Sequence, residues 1–187
     1  RARDFGFELA LMAALSRATL PLDFTIQTDV AAGFEQRTLM FECKRPQSAD
    51  SVPRLARKAA DQLRGKYKSF SRRNRRGIIA LDVTKVINPE FKILVGKENA
   101  HIDQIMSQKL VELMRENEEE WAKMRDSRTI GVLFRLRQMN AIEGSDSSRL
   151  VYGNLYLLTN TAGTGEVDMS LANAFAAAIR QGMHNAV

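Results

Sequence analysis

Residues 78–86 read IIALDVTKV, and from Gly77 to Val86 the run is almost continuously apolar. A strand of that composition has no polar face to turn toward water, so it must be covered on both sides. The rest of the chain supplies the covering elements. Residues 4–16 place Phe5, Leu9, Met12 and Leu15 at helical spacing, and Thr19-Leu20-Pro21 ends that helix. Residues 22–31 and 38–44 are β-rich runs with Gly33 in the turn between them, which predicts a hairpin or two neighbouring strands, stopped by Pro46. Residues 48–51 offer N-caps and Pro53 suits a first helical turn. From there Leu55, Ala59, Ala60, Leu63 and Tyr67 predict a basic amphipathic helix, and residues 69–77 a loop.

Beyond the apolar run, residues 91–95 predict a short strand and Ile102 to Arg125 one long helix. That helix carries an apolar stripe at 102, 105, 106, 110, 113, 114, 121 and 124. Strands over 129–142 and 150–159, joined by EGSDSS, lead through TNTAGTGE to a last helix over 171–183. With no repeat or low-complexity linker, residues 1–187 are expected to form a single α/β domain. TNTAGTGE lacks the Gly-Lys-Ser/Thr of a phosphate-cradling loop.

Composition narrows the function classes. The 187 residues hold no apolar window long enough to span a bilayer, so no membrane association is expected. One cysteine, Cys43, rules out an internal disulfide and a cysteine zinc site. Two histidines, His101 and His184, leave little imidazole for metal or triad chemistry. A reducing, cytoplasmic setting is the expectation. The first residue is Arg1, not Met, as in a piece of a longer protein.

The net charge of +6 is concentrated in one place. Residues 54–76 carry Arg54, Arg57, Lys58, Arg64, Lys66, Lys68, Arg72, Arg73, Arg75 and Arg76 against the one acid Asp61, so this segment alone is +9. Such a block binds phosphate backbones through counterion release without reading their sequence. Nucleic acid is the expected partner.

The residues with chemistry to offer lie just before it, in TDVAAGFEQRTLMFECKR, residues 28–45. Strand alternation puts Met40, Glu42 and Lys44 on one face and Leu39, Phe41 and Cys43 on the other. A carboxylate and an ammonium thus emerge side by side, and Asp29, on the preceding run, can be brought to them by pairing. Two carboxylates on neighbouring strands make an oxygen site suited to Mg²⁺, and a lysine beside it can position or deprotonate a water and stabilise phosphate charge. Asp23 competes with Asp29: a tight turn at Ala32-Gly33 would set Asp23 opposite Glu42 instead. A second Glu-x-Lys, Glu90-Phe91-Lys92, follows Pro89 and precedes no basic helix; it reads as surface charge beside a strand.

The order of a helix, strands bearing Asp29 and then Glu42-Cys43-Lys44, a helix and a strand resembles the PD-(D/E)XK nuclease superfamily over about residues 4–87. The resemblance implies a restriction-endonuclease-like core (helix, mixed central sheet, helix, strand), with residues 88–187 as additional strands and helices packed on or extending it. It implies a Mg²⁺-dependent nuclease, with Mn²⁺ as a substitute, that hydrolyses phosphodiester bonds, DNA above all. Asp29 and Glu42 would ligate the metal with the Cys43 carbonyl, and Lys44 would handle the attacking water. Glu8 matches a family glutamate in the first helix, supporting a second ion or a water, and Gln62 more loosely a family glutamine in the helix after the motif. Arg45 and the basic residues from Arg54 to Arg76 would hold the sugar-phosphate backbone. The alternative is a catalytically inactive nucleic-acid-binding or protein-interaction module, with the C-terminal half as a face for a homodimer or partner domain.

Overall fold

The computed structural model describes residues 2–69, 74–124, 126–144, 147–160 and 166–184. In chain order these form α1 (Ala2–Arg17), β1 (Val30–Phe34), β2 (Arg37–Lys44), α2 (Ser51–Ser69), β3 (Arg75–Asp82), α3 (Thr84–Ile87), β4 (Leu94–Gly96), α4 (Asn99–Glu116), α5 (Glu118–Lys123), β5 (Thr129–Glu143), β6 (Ser148–Asn160) and α6 (Glu166–His184). The fold is α/β around one mixed sheet. β1 and β2 are antiparallel, β2, β3 and β5 run parallel, and β6 returns antiparallel to β5. β5 is long enough to pair with β3 along its first half and with β4 along its last, while β6 follows its other edge throughout. Among the described residues no helix is long and apolar enough to cross a membrane.

β3 is buried along nearly its whole length, as its apolar composition demands. On one face Ile79 and Leu81 join Met40, Val132 and Phe134 under α2, α4 and α5. On the other, Ile78 and Ala80 join Leu39, Phe41 and Leu133 under α1 and α6. Gly77 shows how closely α2 approaches, since a Cβ there would strike the Tyr67 side chain and come within 2.9 Å of a Leu63 methyl carbon. Truncating a fully buried ring such as Phe41 to alanine costs about 3–5 kcal/mol in a packed core of this kind.

Several expected boundaries shift for physical reasons. The strand in the apolar run stops at Asp82, whose carboxylate accepts the Thr84 N–H (3.2 Å) and turns the chain into the short helix α3. The hairpin turns at Glu35-Gln36, not at Gly33, and both residues have positive φ (46° and 60°). Two-residue hairpin loops of this type normally carry Asn or Gly, so the sequence offers no signal there. Residues 22–29 are mostly irregular, with one bridge between Leu22 and Ala32.

The first helix buries Phe7, Leu11, Ala14 and Leu15, leaving Phe5 and Leu9 exposed, so the stripe predicted through Phe5 and Leu9 points outward. The helix is apolar nearly all round, and periodicity cannot choose between two such stripes. The long helix breaks at Asn117, whose side chain donates to the Leu113 carbonyl (2.9 Å), while Trp121 donates its indole N–H to Met114 (2.8 Å) across the break. Residues 161–165 of TNTAGTGE lie outside the described residues.

Candidate active site

β1 begins at Val30, opposite Phe41, so Cys43 extends past the end of its neighbour and its main-chain N–H lacks a strand partner. Asp29 fills the gap: its carboxylate accepts the Cys43 N–H at 2.7 Å. That bond fixes a carboxylate at the open edge of the sheet, beside the end of β2. Glu42, one residue earlier and fully buried, points to the face covered by α2. Lys44 on the same face reaches back over both, its Nζ 3.0 Å from the Cys43 carbonyl oxygen, 3.5 Å from Asp29 Oδ2 and 3.6 Å from Glu42 Oε2.

The two oxygens of Glu42 are treated differently. Oε1 accepts from Lys66 of α2 and lies 3.2 Å from the Thr28 hydroxyl, which is also 2.9 Å from the Phe41 carbonyl. Oε2 is buried with no hydrogen-bond donor, and a bare buried carboxylate oxygen is costly. Three oxygens, from Asp29, Glu42 and the Cys43 carbonyl, therefore converge on a single ammonium, and one of them wants a stronger partner. That donor set is the all-oxygen kind a hard divalent cation takes, completed by water and substrate oxygens. Among the described residues no group of three or more His, Cys, Asp or Glu side chains is placed to hold a metal ion. The set here is two carboxylates and a carbonyl, so the residues present fit such an ion with most of its shell left to water and substrate.

Cys43 points into the core beneath α1. Burial pushes its thiol pKa well up, and the nearby Asp29, then Glu8, push it further, against Lys44. Glu8 is thus electrostatically coupled to the cluster from α1, on the opposite side of the sheet from Lys66. Asp23 is not brought into the cluster. Its carboxylate accepts from the Thr25 N–H (2.9 Å) and hydroxyl (2.6 Å), closing a local turn, and it lines with Asp29 the wall of a small cavity of about 90 Å³.

The basic segment divides. Gln62 lies exposed on the outer face of α2, and the helix residue that meets Glu42 is Lys66, one turn further on. Arg57 pairs with Glu120 (2.7 Å), Arg64 with Asp61 (2.8 Å) and Asp126 (3.7 Å), and Arg76 with Asp168 (2.7 Å). Arg75 is buried. Arg54, Lys58 and Lys68 are exposed, while Arg72 and Arg73 lie outside the described residues. Tyr67 packs rather than projects: its hydroxyl lies 3.2 Å from that of Thr129, the Arg128 guanidinium sits over its ring, and burial raises its pKa. Arg45 turns to the opposite face from Lys44 and pairs with Asp82 (3.2 Å). The second Glu-x-Lys is a surface pair, Glu90 to Lys92 at 2.7 Å, both exposed.

Sequence reasoning placed Lys66 among the phosphate-holding residues and passed over Thr28. The available signals were position alone: Lys66 follows Gln62 by one helical turn, and Thr28 directly precedes Asp29. Comparisons with protein-family models, curated proteins and solved structures return no match.

Proposed function

We propose that the protein is a divalent-metal-dependent nuclease with a restriction-endonuclease-like core, acting on nucleic acid and on DNA in particular. The observation that carries this reading is the convergence of Asp29, Glu42 and the Cys43 carbonyl on one lysine, with Glu42 Oε2 buried and undonated. Asp29, Glu42 and the Cys43 carbonyl would hold Mg²⁺ or Mn²⁺. When bound, such an ion neutralises phosphate charge and lowers the pKa of a coordinated water.

The chain's own residues supply the rest. Lys66 holds Oε1 of Glu42 and so leaves Oε2 as the oxygen nearer Lys44. Lys44, within reach of the same oxygens, orients the attacking water and donates to the phosphate oxygen on which charge builds. Glu8, across the strand, supports a further water or ion. The exposed Arg54, Lys58 and Lys68 hold the sugar-phosphate backbone along α2, a contribution that falls with salt.

One observation favours a second reading. Lys44 and Lys66 together offset the charge of Asp29 and Glu42, as they would in a structural ion cluster within a binding module that does no chemistry. The deciding experiment incubates the protein, and Glu42→Gln beside it, with single- and double-stranded DNA and RNA in Mg²⁺, Mn²⁺ or EDTA. Metal-dependent cleavage, lost in the variant, is expected. Salt-sensitive binding with no cleavage under either divalent ion would replace the nuclease by the binding module.

A further inference from the structure

On the α1 face of the sheet, beside Gly6 and Phe7 of that helix, lies an open pocket of about 480 Å³. Its polar floor is a relay: Asp82, 4% exposed, stands between Arg45 (3.2 Å) and Arg135 (3.4 Å). Arg137 at the rim donates to the Tyr152 hydroxyl (3.0 Å) and stacks over that ring at 4.5 Å. Among the described side chains that line the pocket there are three guanidinium groups, of Arg45, Arg135 and Arg137, and one carboxylate, of Asp82. The walls are apolar and project: Tyr152 and Phe91 are each 60% exposed, and Lys85 sits 4.8 Å over the Phe91 ring. Phe91 also holds a left-handed backbone (φ 54°), a costly conformation for a bulky residue. The Asn88 side chain clamps it there, donating to the Lys92 carbonyl (2.8 Å) and accepting the Lys92 N–H (2.9 Å).

We propose that this pocket takes one unpaired nucleotide of a nucleic-acid strand, its base stacked against Tyr152 and Phe91 and its phosphate drawn to Arg137 and Arg45. Each exposed ring has a cation beside it, so a stacking surface and a phosphate-binding charge come as a unit, the combination by which proteins hold single strands. A purely apolar partner offers no anion to the exposed Arg137, and a purely anionic one leaves two large rings in water. The inference rests on the nuclease reading for its biological sense and deepens it. Arg45 follows Lys44 at the end of β2 but faces the other side of the sheet, so a strand held here reaches the candidate active site only around that strand end, and the substrate this calls for is single-stranded or frayed near the cut.

The test is run in EDTA, so that its outcome is independent of cleavage and its failure is distinct from failure of the nuclease reading. A twelve-nucleotide single-stranded DNA carrying one 5-iodouracil is bound and irradiated, and its affinity is compared with that of a matching duplex. The expected adduct maps to Tyr152 or Phe91. Tyr152→Ala and Phe91→Ala each weaken single-strand binding by about 5- to 100-fold, the range of a lost base stack, while duplex binding changes less than twofold. Both rings are largely exposed, so the variants fold, as circular dichroism verifies. Unchanged single-strand affinity in both variants, or adducts confined to α2, would overturn the proposal. So would displacement of the strand by free nucleoside monophosphate at equal nucleotide concentration, which assigns the pocket to a free nucleotide. A dimer in sedimentation that Leu150→Asp and Tyr152→Ala both dissolve would give the face to a second copy of the chain.

Discussion

Glu42 lies between Lys44 and Lys66, and Asp82 lies between Arg45 and Arg135; both acids are buried and both are flanked by two cations, but the groups around them differ. At the sheet edge the second carboxylate, Asp29, and the Cys43 carbonyl bring the oxygens into excess, and one oxygen of Glu42 has no donor. In the pocket, Arg137 brings the guanidinium groups into excess. The choice of cation follows the same division. A lysine ammonium is a compact charge on a flexible stem that yields its place to an ion, whereas an arginine fork holds planar geometry and stacks on rings. The same strand serves both sites, because consecutive residues point to opposite faces: Lys44 belongs to one and Arg45 to the other. The two regions differ in the surplus each leaves, of acceptor oxygens at the edge and of guanidinium donors in the pocket, and the proposed ligands follow from that difference.

The sharpest way to break this comparison is Lys44→Ala. On the nuclease reading it lowers turnover by about 10²- to 10⁴-fold, with nucleic-acid affinity within about twofold of the parent; retained turnover in a cleavage assay would remove Lys44 from the chemistry. Next in size is Asp82→Asn, which leaves Arg135, 5% exposed, facing a neutral group and costs about 3–5 kcal/mol in urea unfolding. Asp29→Asn, at the half-open edge, weakens one charged hydrogen bond and costs about 1–3 kcal/mol. Equal losses would mean the two acids are equivalent structural supports.

A third measurement needs no turnover. Mg²⁺ at about a hundred times its dissociation constant raises stability by about 2.7 kcal/mol in the parent and by far less in Glu42→Gln. The Tyr152→Ala variant responds to Mg²⁺ as the parent does, because Tyr152 lines the other pocket and none of the oxygens at the sheet edge. A thermal melt that ignores Mg²⁺ in the parent would count against the oxygen site. Cys43 reports on the floor between the regions: with its pKa raised by burial and by Asp29 and Glu8, it remains a thiol at pH 8 and reacts with iodoacetamide only as fast as the protein opens. The smallest effect is Gln36→Gly, which relieves a positive φ and adds about 1 kcal/mol without touching either site.

Much of the edge cluster was legible beforehand. Alternation along residues 38–44 alone puts Glu42 and Lys44 on one face and Cys43 on the other, and the structure keeps that register. The sequence favoured Asp29 with Asp23 as its competitor, and pattern alone left both open because the outcome depends on a turn at Glu35-Gln36 that has no glycine or asparagine to announce it. The basic segment was legible as charge and illegible as function. Arg57, Arg64 and Arg76 are drawn into ion pairs with Glu120, Asp126 and Asp168, acids 50 or more residues distant in the chain. The pocket was invisible altogether, since Arg45, Asp82, Arg135 and Tyr152 meet only when β2, β3, β5 and β6 lie side by side.

The amino-acid sequence by itself determined that this chain builds helices over both faces of a buried strand, and that an acid and a lysine share one face of β2. Those outcomes follow from local periodicity and from the cost of leaving an apolar strand in water. Tertiary structure alone decided which carboxylate caps the end of β2, which lysine of α2 grips Glu42, and where the excess arginines gather. Each depends on contacts between residues far apart in the chain, and a linear pattern carries no record of such distances until the sheet is assembled.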